Sequence, residues 1–474
     1  MADRRSVFLL YHFFQPDDVI SARLYSDLAV ELTESGFDVT AVPSIRRCHG
    51  RREPLAKHES WAGGKIRRVW RPAWPQHRTA GRFGNTLFML LAWTWLAVVT
   101  PRRRGEVMVV GTDPVLGVLI AISWRLLRPN SRIIHWCHDL YPDAAVADGI
   151  VPDSARWVRL LRWMLGIAYR RCDVIADLGL CMRRRLQAAS GEVDRSDVAT
   201  ADRDRLPGTS PETRSPVTSS PVTSSADAAA AAEHHWWQGR YATLVPWSLV
   251  EPDRVQQPDL ATRRELFGDH RLGMLYSGNF GRAHGFESLI ALARRLRSDD
   301  VGFCFAGRGL RLDSVRAEMT DADVNIRFAG FAEESDLEMR LAAADIHLVT
   351  LRQGWTGTVV PSKFFGALAA GRPVLFAGDR DSAIARWIDQ YQIGWVLNQE
   401  TIDELATSIV SLAGSVDAME EMRQRCFEVY HREFSKSVQL DRWHQVLVGE
   451  RYRVSSSEPP LAGNLNHERI AEAI

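Results

Sequence analysis

Cysteine is scarce: six in 474 residues, none in a C-x-x-C pair or at zinc-ligand spacing. That excludes a disulfide scaffold, and reduced thiols in a cytoplasm are the expectation. Charge of one sign is also lacking. Lys and Arg number 59 against 58 Asp and Glu, a net of +1, so nothing global points to nucleic acid. No signal peptide is visible, because MADRRSVFLLYHFF holds only a short apolar run before Gln15, Pro16, Asp17 and Asp18. The longest apolar stretch, Thr86–Thr100, has 15 residues, short of the roughly 20 a spanning helix needs, and is not read as transmembrane. The dinucleotide fingerprint G-x-G-x-x-G is missing too. FAGRGL (Phe305–Leu310) comes nearest, but Leu stands at 312, which disfavours a nicotinamide dehydrogenase.

What is present is ordinary globular composition, 46% apolar and 25% charged. The length calls for two large domains or three small ones. Apolar strand-like runs alternate with helical ones: Val7–Tyr11, a helix over 21–35 with Leu24, Leu28, Ala29 and Leu32 on one face, then Phe37–Val42, Val107–Val110, Arg132–Trp136 and Asp173–Ala176. Such repetition predicts a parallel sheet covered on both faces. Residues 190–235 break it. They are almost free of large apolar residues and repeat SPVTS at 215–219 and 220–224, so the expectation is a disordered insertion, with a regulatory or docking segment as the alternative. A second alternating unit runs from Gly273 to about Gly414.

The fold class expected is therefore α/β, two Rossmann-like doubly wound domains facing a cleft. The boundaries are 1–248 for an acceptor-side domain carrying the insertion and 260–430 for a donor domain. A helix over 431–450 packs back on the first domain, and 455–474 is a loose tail.

Three segments of the second unit carry candidate chemistry. YSGNFGRAHGFESL (Tyr276–Leu289) reads as strand, glycine loop and helix. Gly278, Gly281 and Gly285 let backbone N–H groups approach an anion, and Arg282 and His284 add side-chain donors; a plain strand-to-helix turn is the bland alternative. Gly307 lies at a strand end, where open parallel sheets bind ligands. In WTGTVVPSKFFGALAAGRPVLFAG (Trp355–Gly378), Ser362 is a natural N-cap. Lys363 in the first turn is unfavourable by ~0.3–1 kcal/mol unless an anion binds there; a solvated surface Lys is the alternative.

These segments in this order resemble the donor domain of family 4 glycosyltransferases of the GT-B architecture, near the colanic acid and exopolysaccharide subgroup. IIHWCHDLYPDAAVADGI (Ile133–Ile150) and LVPWSLVEPD (Leu244–Asp253) agree. The resemblance spans roughly residues 6–185 and 241–448. It implies a retaining, hexosyl-type transfer from a nucleoside-diphosphate sugar, UDP being the base expected, to a lipid-linked or glycan acceptor. It also implies no metal and no cofactor, and no Asp-x-Asp motif is assigned a metal. His138, Arg282 and Lys363 become the catalytic candidates. Gly278, Asn279, Gly281, His284, Gly307, Arg308, Phe331, Gly357, Thr358, Val359 and Ser362 become the donor-binding candidates, with the backbone N–H groups of 356–359 as anion donors. Ser21 and Asp139 are placed on the acceptor side. One departure stands out: where family members carry two Glu residues, this chain has Thr358 and Gly366. Two rivals stay open, a non-catalytic nucleotide-sugar-binding subunit and a nucleotide-sugar epimerase of the same architecture.

Residues 65–104 hold nine Lys or Arg, no Asp or Glu, and Trp70, Trp74, Trp93 and Trp95. Basic clusters attract anionic lipid and Trp prefers the membrane interface. The expectation is an enzyme peripherally attached to the inner membrane face, not one that binds nucleic acid; a buried core helix with a basic rim is the alternative.

Overall fold

The structure is a computed structural model that describes residues 5–17, 19–48, 54–74, 79–193 and 236–449. The expected insertion, from residue 194 to 235, and the tail over 455–474 lie outside the described residues.

Two sheets organise the chain. The first contains β1 (Ser6–Leu10), β2 (Asp38–Ala41), β3 (His58–Trp61), β4 (Gly64–Arg67), β5 (Val107–Gly111), β6 (Arg132–Trp136), β7 (Val174–Asp177), β8 (Trp237–Gln238) and β9 (Tyr241–Thr243). Their spatial order is β3-β4-β2-β1-β5-β6-β7-β9-β8. The pairings are parallel except for the terminal hairpins β3/β4 and β8/β9. β1 and β5 are buried at every position. Unbroken apolar runs such as VMVV fit there because helices cover both faces. The second sheet contains β10 (Leu272–Asn279), β11 (Val301–Arg308), β12 (Ile326–Ala329), β13 (Ile346–Thr350), β14 (Val374–Ala377) and β15 (Gly394–Leu397), in the order β12-β11-β10-β13-β14-β15 and wholly parallel. These are two Rossmann-like units, and the expected fold class stands.

The helix Ile20–Glu34 buries Leu24, Tyr25, Leu28, Ala29 and Leu32 against the first sheet. The C-terminal segment forms two helices. Val416–Val429 runs into a π-helical turn over Tyr430–Phe434, extended Ser435 breaks the path, and Lys436–Val448 follows. Phe434 sits in the second domain's core, while Leu440, Trp443, Val446 and Leu447 sit in the first domain's. The strap is pinned at its crossing. Gln439 Oε1 accepts from Val245 N–H at 3.1 Å, and Glu251 Oε1 accepts from Lys436 N–H at 2.7 Å and from the Tyr430 hydroxyl.

The apolar stretch at 86–100 needs correction. Its helix begins at Thr79 and runs to Val99, 21 residues, and Ala80–Val99 is long and apolar enough to cross a membrane by length and composition. Packing gives it two faces instead. Met89, Trp93, Leu96 and Ala97 are buried on the first sheet, and the Trp93 indole N–H donates to the Val42 carbonyl at 3.0 Å. Phe83, Leu87, Leu91, Trp95 and Val98 are exposed.

Candidate functional site

The carboxyl ends of β10 and β11, the loop after β10 and the helix Lys363–Ala369 converge on one side of the interdomain cleft. Gly307 is required there. Its φ is +149°, and a Cβ at this position would lie 1.8 Å from the Gly278 carbonyl oxygen on the neighbouring strand. Gly278 also lies close to Lys363, 2.7 Å from a hypothetical Cβ to its Cε. The lysine stem therefore lies flat on bare backbone, and its ammonium reaches the Asn279 carbonyl oxygen at 3.3 Å and His284 Nε2 at 3.3 Å. It also sits 5.0 Å from the centroid of the Tyr276 ring.

His284 Nδ1 faces the Thr350 carbonyl oxygen at 2.7 Å. A carbonyl only accepts, so Nδ1 carries the proton and Nε2 presents a lone pair to the lysine. Burial, with the Lys363 charge second, pushes the His284 pKa down to about 4 and keeps the ring neutral. His284 is thus an acceptor that steadies Lys363, not the anion donor expected from the sequence. Burial also brings Lys363 down to about 8. An ammonium has three N–H groups, and two are accounted for. No carboxylate among the described residues pairs with it.

Other expectations change. Ser362 makes no side-chain capping bond and is exposed. The amides of Thr356 and Thr358 are already bonded to the carbonyls of Gln353 and Trp355, at 3.2 and 3.0 Å, in a tight turn, so they are not anion donors. That turn instead meets the first domain. The Thr358 carbonyl accepts from Leu140 N–H at 2.8 Å, and Arg185 Nε donates to the Thr356 carbonyl at 2.8 Å. Thr358 is fully buried, its hydroxyl bonded to the Trp355 carbonyl at 2.8 Å. Gly366, at the other substituted position, has ordinary space beside it, 3.6 Å from a hypothetical Cβ to Leu341 Cδ1 and 3.8 Å to Ser248 Oγ. Gly357 and Val359 belong to the same turn, and Gly281 opens the β10 loop, where its carbonyl accepts from His284 N–H at 3.2 Å. Arg308 lies over the half-exposed Phe331 ring, 4.2 Å from its centroid, and forms a flat platform at the strand ends.

Arg282 does not point at an open site. It pairs with Asp148 of the first domain at 2.9 Å, and that carboxylate also lies 3.9 Å from Arg352. Sequence reasoning missed Asp148 because partners 134 residues apart leave no local signal. We expect Arg282→Ala to lower transfer kcat/KM by no more than about tenfold, a cross-cleft tether of this kind being worth ~1 kcal/mol. A loss a hundred times that size would place the guanidinium on substrate.

The first domain's side of the cleft is built on β1, β5 and β6. Thr112 Oγ1 accepts from His138 N–H at 2.8 Å and orients the loop after β6. The His138 ring packs on Trp136, 4.5 Å between centroids, and its Nε2 has no hydrogen-bond partner. Burial pushes its pKa down to about 3, so the ring is neutral. Asp139, next along, is exposed to the cleft. Although its edge meets solvent, desolvation of the carboxyl by the surrounding protein, with the Asp113 charge second, raises it to about 6. Ser21 lies beside Tyr11 in the same corner. Asp113 was missed, although GTDP at the end of β5 is the same kind of polar break after an apolar strand that drew attention to His138 and Asp139. Among the described residues no group of three or more His, Cys, Asp or Glu is placed to hold a metal.

With this geometry in hand, residues 262–428 match the family described as glycosyl transferases, group 1. The second half is a group 1 glycosyl transferase domain. "Probable glycosyltransferase WbjE" of Pseudomonas aeruginosa is 26% identical over 324 residues, 66% of this chain and 69% of that one. WcaI of Escherichia coli (strain K12), assigned by its name to colanic acid biosynthesis, is 27% identical over 170 residues, 34% of this chain and 41% of that one. Among solved structures, Anabaena Alr3699/HepE in complex with UDP shares the fold, with a TM-score of 0.57, 10% identity, and coverage of 94% of this chain and 100% of that one. The glycosyltransferase is thus of GT-B architecture and family 4-like, an enzyme of the transferase class, and the β10 loop, β11 end and Lys363 all lie within the matched region.

Proposed function

We propose that the enzyme moves a sugar from a nucleoside diphosphate, with UDP as the favoured base, to a lipid-linked acceptor in surface polysaccharide synthesis. The supporting observation is Lys363. Its charge is desolvated and answered only by neutral acceptors, and one N–H remains for a diphosphate oxygen. As the glycosidic bond breaks, negative charge grows on that leaving group, and a fixed cation aimed at it lowers the barrier. The Arg308–Phe331 platform supplies a face for the nucleobase, and the HepE structure holding UDP in the same fold is consistent with this choice. His138 Nε2 is assigned to a hydroxyl of the donor sugar. The acceptor attacks from the leaving-group face and configuration is retained; the reading assigns no metal.

The membrane forms the second part of the proposal. The exposed face of Thr79–Val99 and the exposed cations Arg82, Arg102 and Arg104 rest on anionic lipid of the cytoplasmic leaflet, while Arg68 and Arg71 are buried and Lys65 and Arg103 pair with Asp38. That helix starts near the cleft rim, where the Arg82 charge acts on Tyr141, three residues from His138, so a lipid-anchored acceptor enters from the bilayer.

The test is release and transfer of sugar from a panel of nucleotide sugars in the presence of lipid extract. One donor should turn over, and its kcat/KM should fall as pH rises through about 8, where Lys363 loses its proton. UDP binding without turnover of any donor would instead mark the non-catalytic subunit that the missing Glu pair leaves open.

A further inference from the structure

We propose that the surface resting on the bilayer has a second half, the helix Arg156–Arg171, lying across Ile120–Leu127 from Thr79–Val99, and that its partner is an anionic lipid surface. The inference rests on the membrane part of the preceding reading and extends it to a segment outside residues 65–104.

The helix RWVRLLRWMLGIAYRR is two-faced. Leu165, Ala168 and Tyr169 are buried in the first domain's core, and Val158 is buried as well. Trp157, Leu160 and Trp163 stand out on the other side at 50%, 57% and 62% exposure. Spacing of three residues puts them on one ridge. Large apolar side chains exposed in a row mark an interaction surface rather than chance.

The ridge is continuous with the face already described. The helix Ile120–Leu127 packs against both neighbours, Thr94 and Ser123 share a hydrogen bond at 3.0 Å across the first of these contacts, and Leu126 between them is 73% exposed. One apolar layer therefore spans three helices on a single side of the first sheet.

Charge selects the occupant. The helix carries five Arg and no Asp or Glu. Arg162 is taken up by Asp143 and Asp153, at 2.7 and 2.5 Å, while Arg156, Arg159, Arg170 and Arg171 are exposed. Trp flanked by exposed Arg, beside a helix bordered by exposed Arg82, Arg102 and Arg104, suits a headgroup layer that is apolar below and negative at its surface. A second copy of this chain would bring the same positive charge to the contact.

Flotation of the full chain with vesicles of phosphatidylcholine alone, or doped with phosphatidylglycerol, tests this. Wild type is expected on the anionic vesicles. Trp157→Glu with Trp163→Glu should reduce that binding roughly tenfold or more, with the thermal midpoint and UDP affinity unchanged. Should that pair misfold, Arg156→Gln with Arg159→Gln keeps the ridge and should weaken binding to anionic vesicles alone. Undiminished binding by both pairs, with loss in Leu87→Glu plus Leu91→Glu, would overturn the second half and leave the first standing. Failure of wild type to float would overturn both, independently of sugar transfer. A dimer that light scattering finds in wild type but not in Trp157→Glu with Trp163→Glu, with flotation unaltered, would overturn the lipid assignment in favour of self-association.

Discussion

Lys363→Met is expected to lower transfer kcat/KM by about 10²–10³-fold, the usual cost of removing one preorganised donor from a developing negative charge. The methylene stem of methionine matches lysine over the bare backbone of Gly278, so packing survives and the loss reports charge. What the substitution strips is an ammonium that the fold has already desolvated and oriented with the Asn279 carbonyl and His284 Nε2. Because these are neutral acceptors, they position the cation without neutralising it. Lys363→Arg should recover only part of the loss. A planar guanidinium projects its donors in a fixed fork and cannot satisfy both acceptors from the position of Nζ. Donor turnover within threefold of wild type in Lys363→Met would remove the lysine from the phosphate site. The contrast with the modest effect expected for Arg282→Ala is the sharper measurement, because a sequence places both cations equally near the glycine loop and only the Asp148 pairing separates them.

That contrast shows what a sequence can and cannot say about such a site. β6 falls at the residues expected, because buried parallel strands are short, mostly apolar runs with polar ends. The α/β alternation and the convergence of the Gly278 loop, Gly307 and Lys363 were legible for the same reason: strand-end loops of a parallel sheet all open on one edge. The role of His284 was not, since it depends on the Thr350 carbonyl 66 residues away fixing which nitrogen keeps the proton. The start of the helix Thr79–Val99 was missed because its first turns carry Gly81, Gly84 and Asn85, which read as a loop. In the fold Gly84 makes room for the Trp74 ring, which a Cβ would approach to 2.3 Å, and Asn85 Nδ2 donates to the Trp74 carbonyl at 3.0 Å. Tertiary contact outweighs the helix cost of glycine, ~1 kcal/mol.

Trp443→Ala is expected to destabilise the first domain by about 3–5 kcal/mol, a drop in its thermal midpoint on the order of 10 °C. Trp443 belongs to the strap helix and is wholly buried. Its ring meets Trp136 edge-on at 4.8 Å. Trp136 in turn packs on His138 at 4.5 Å and Tyr25 at 5.0 Å, so one aromatic cluster holds both the strap and the loop that carries the cleft histidine. Alanine leaves a cavity against that cluster, and His138 loses the wall behind its own support. Transfer activity measured well below the midpoint should therefore fall, while UDP affinity, assigned to the second domain, stays close to wild type. Trp443→Phe separates packing from hydrogen bonding. The indole N–H is buried without a partner, so phenylalanine discards an unmet donor along with some volume and should cost less than about 1.5 kcal/mol. A Trp443→Ala protein that melts with wild type would mean that the strap lies on the first domain without holding it. The route from strap to His138 would then have no energetic content.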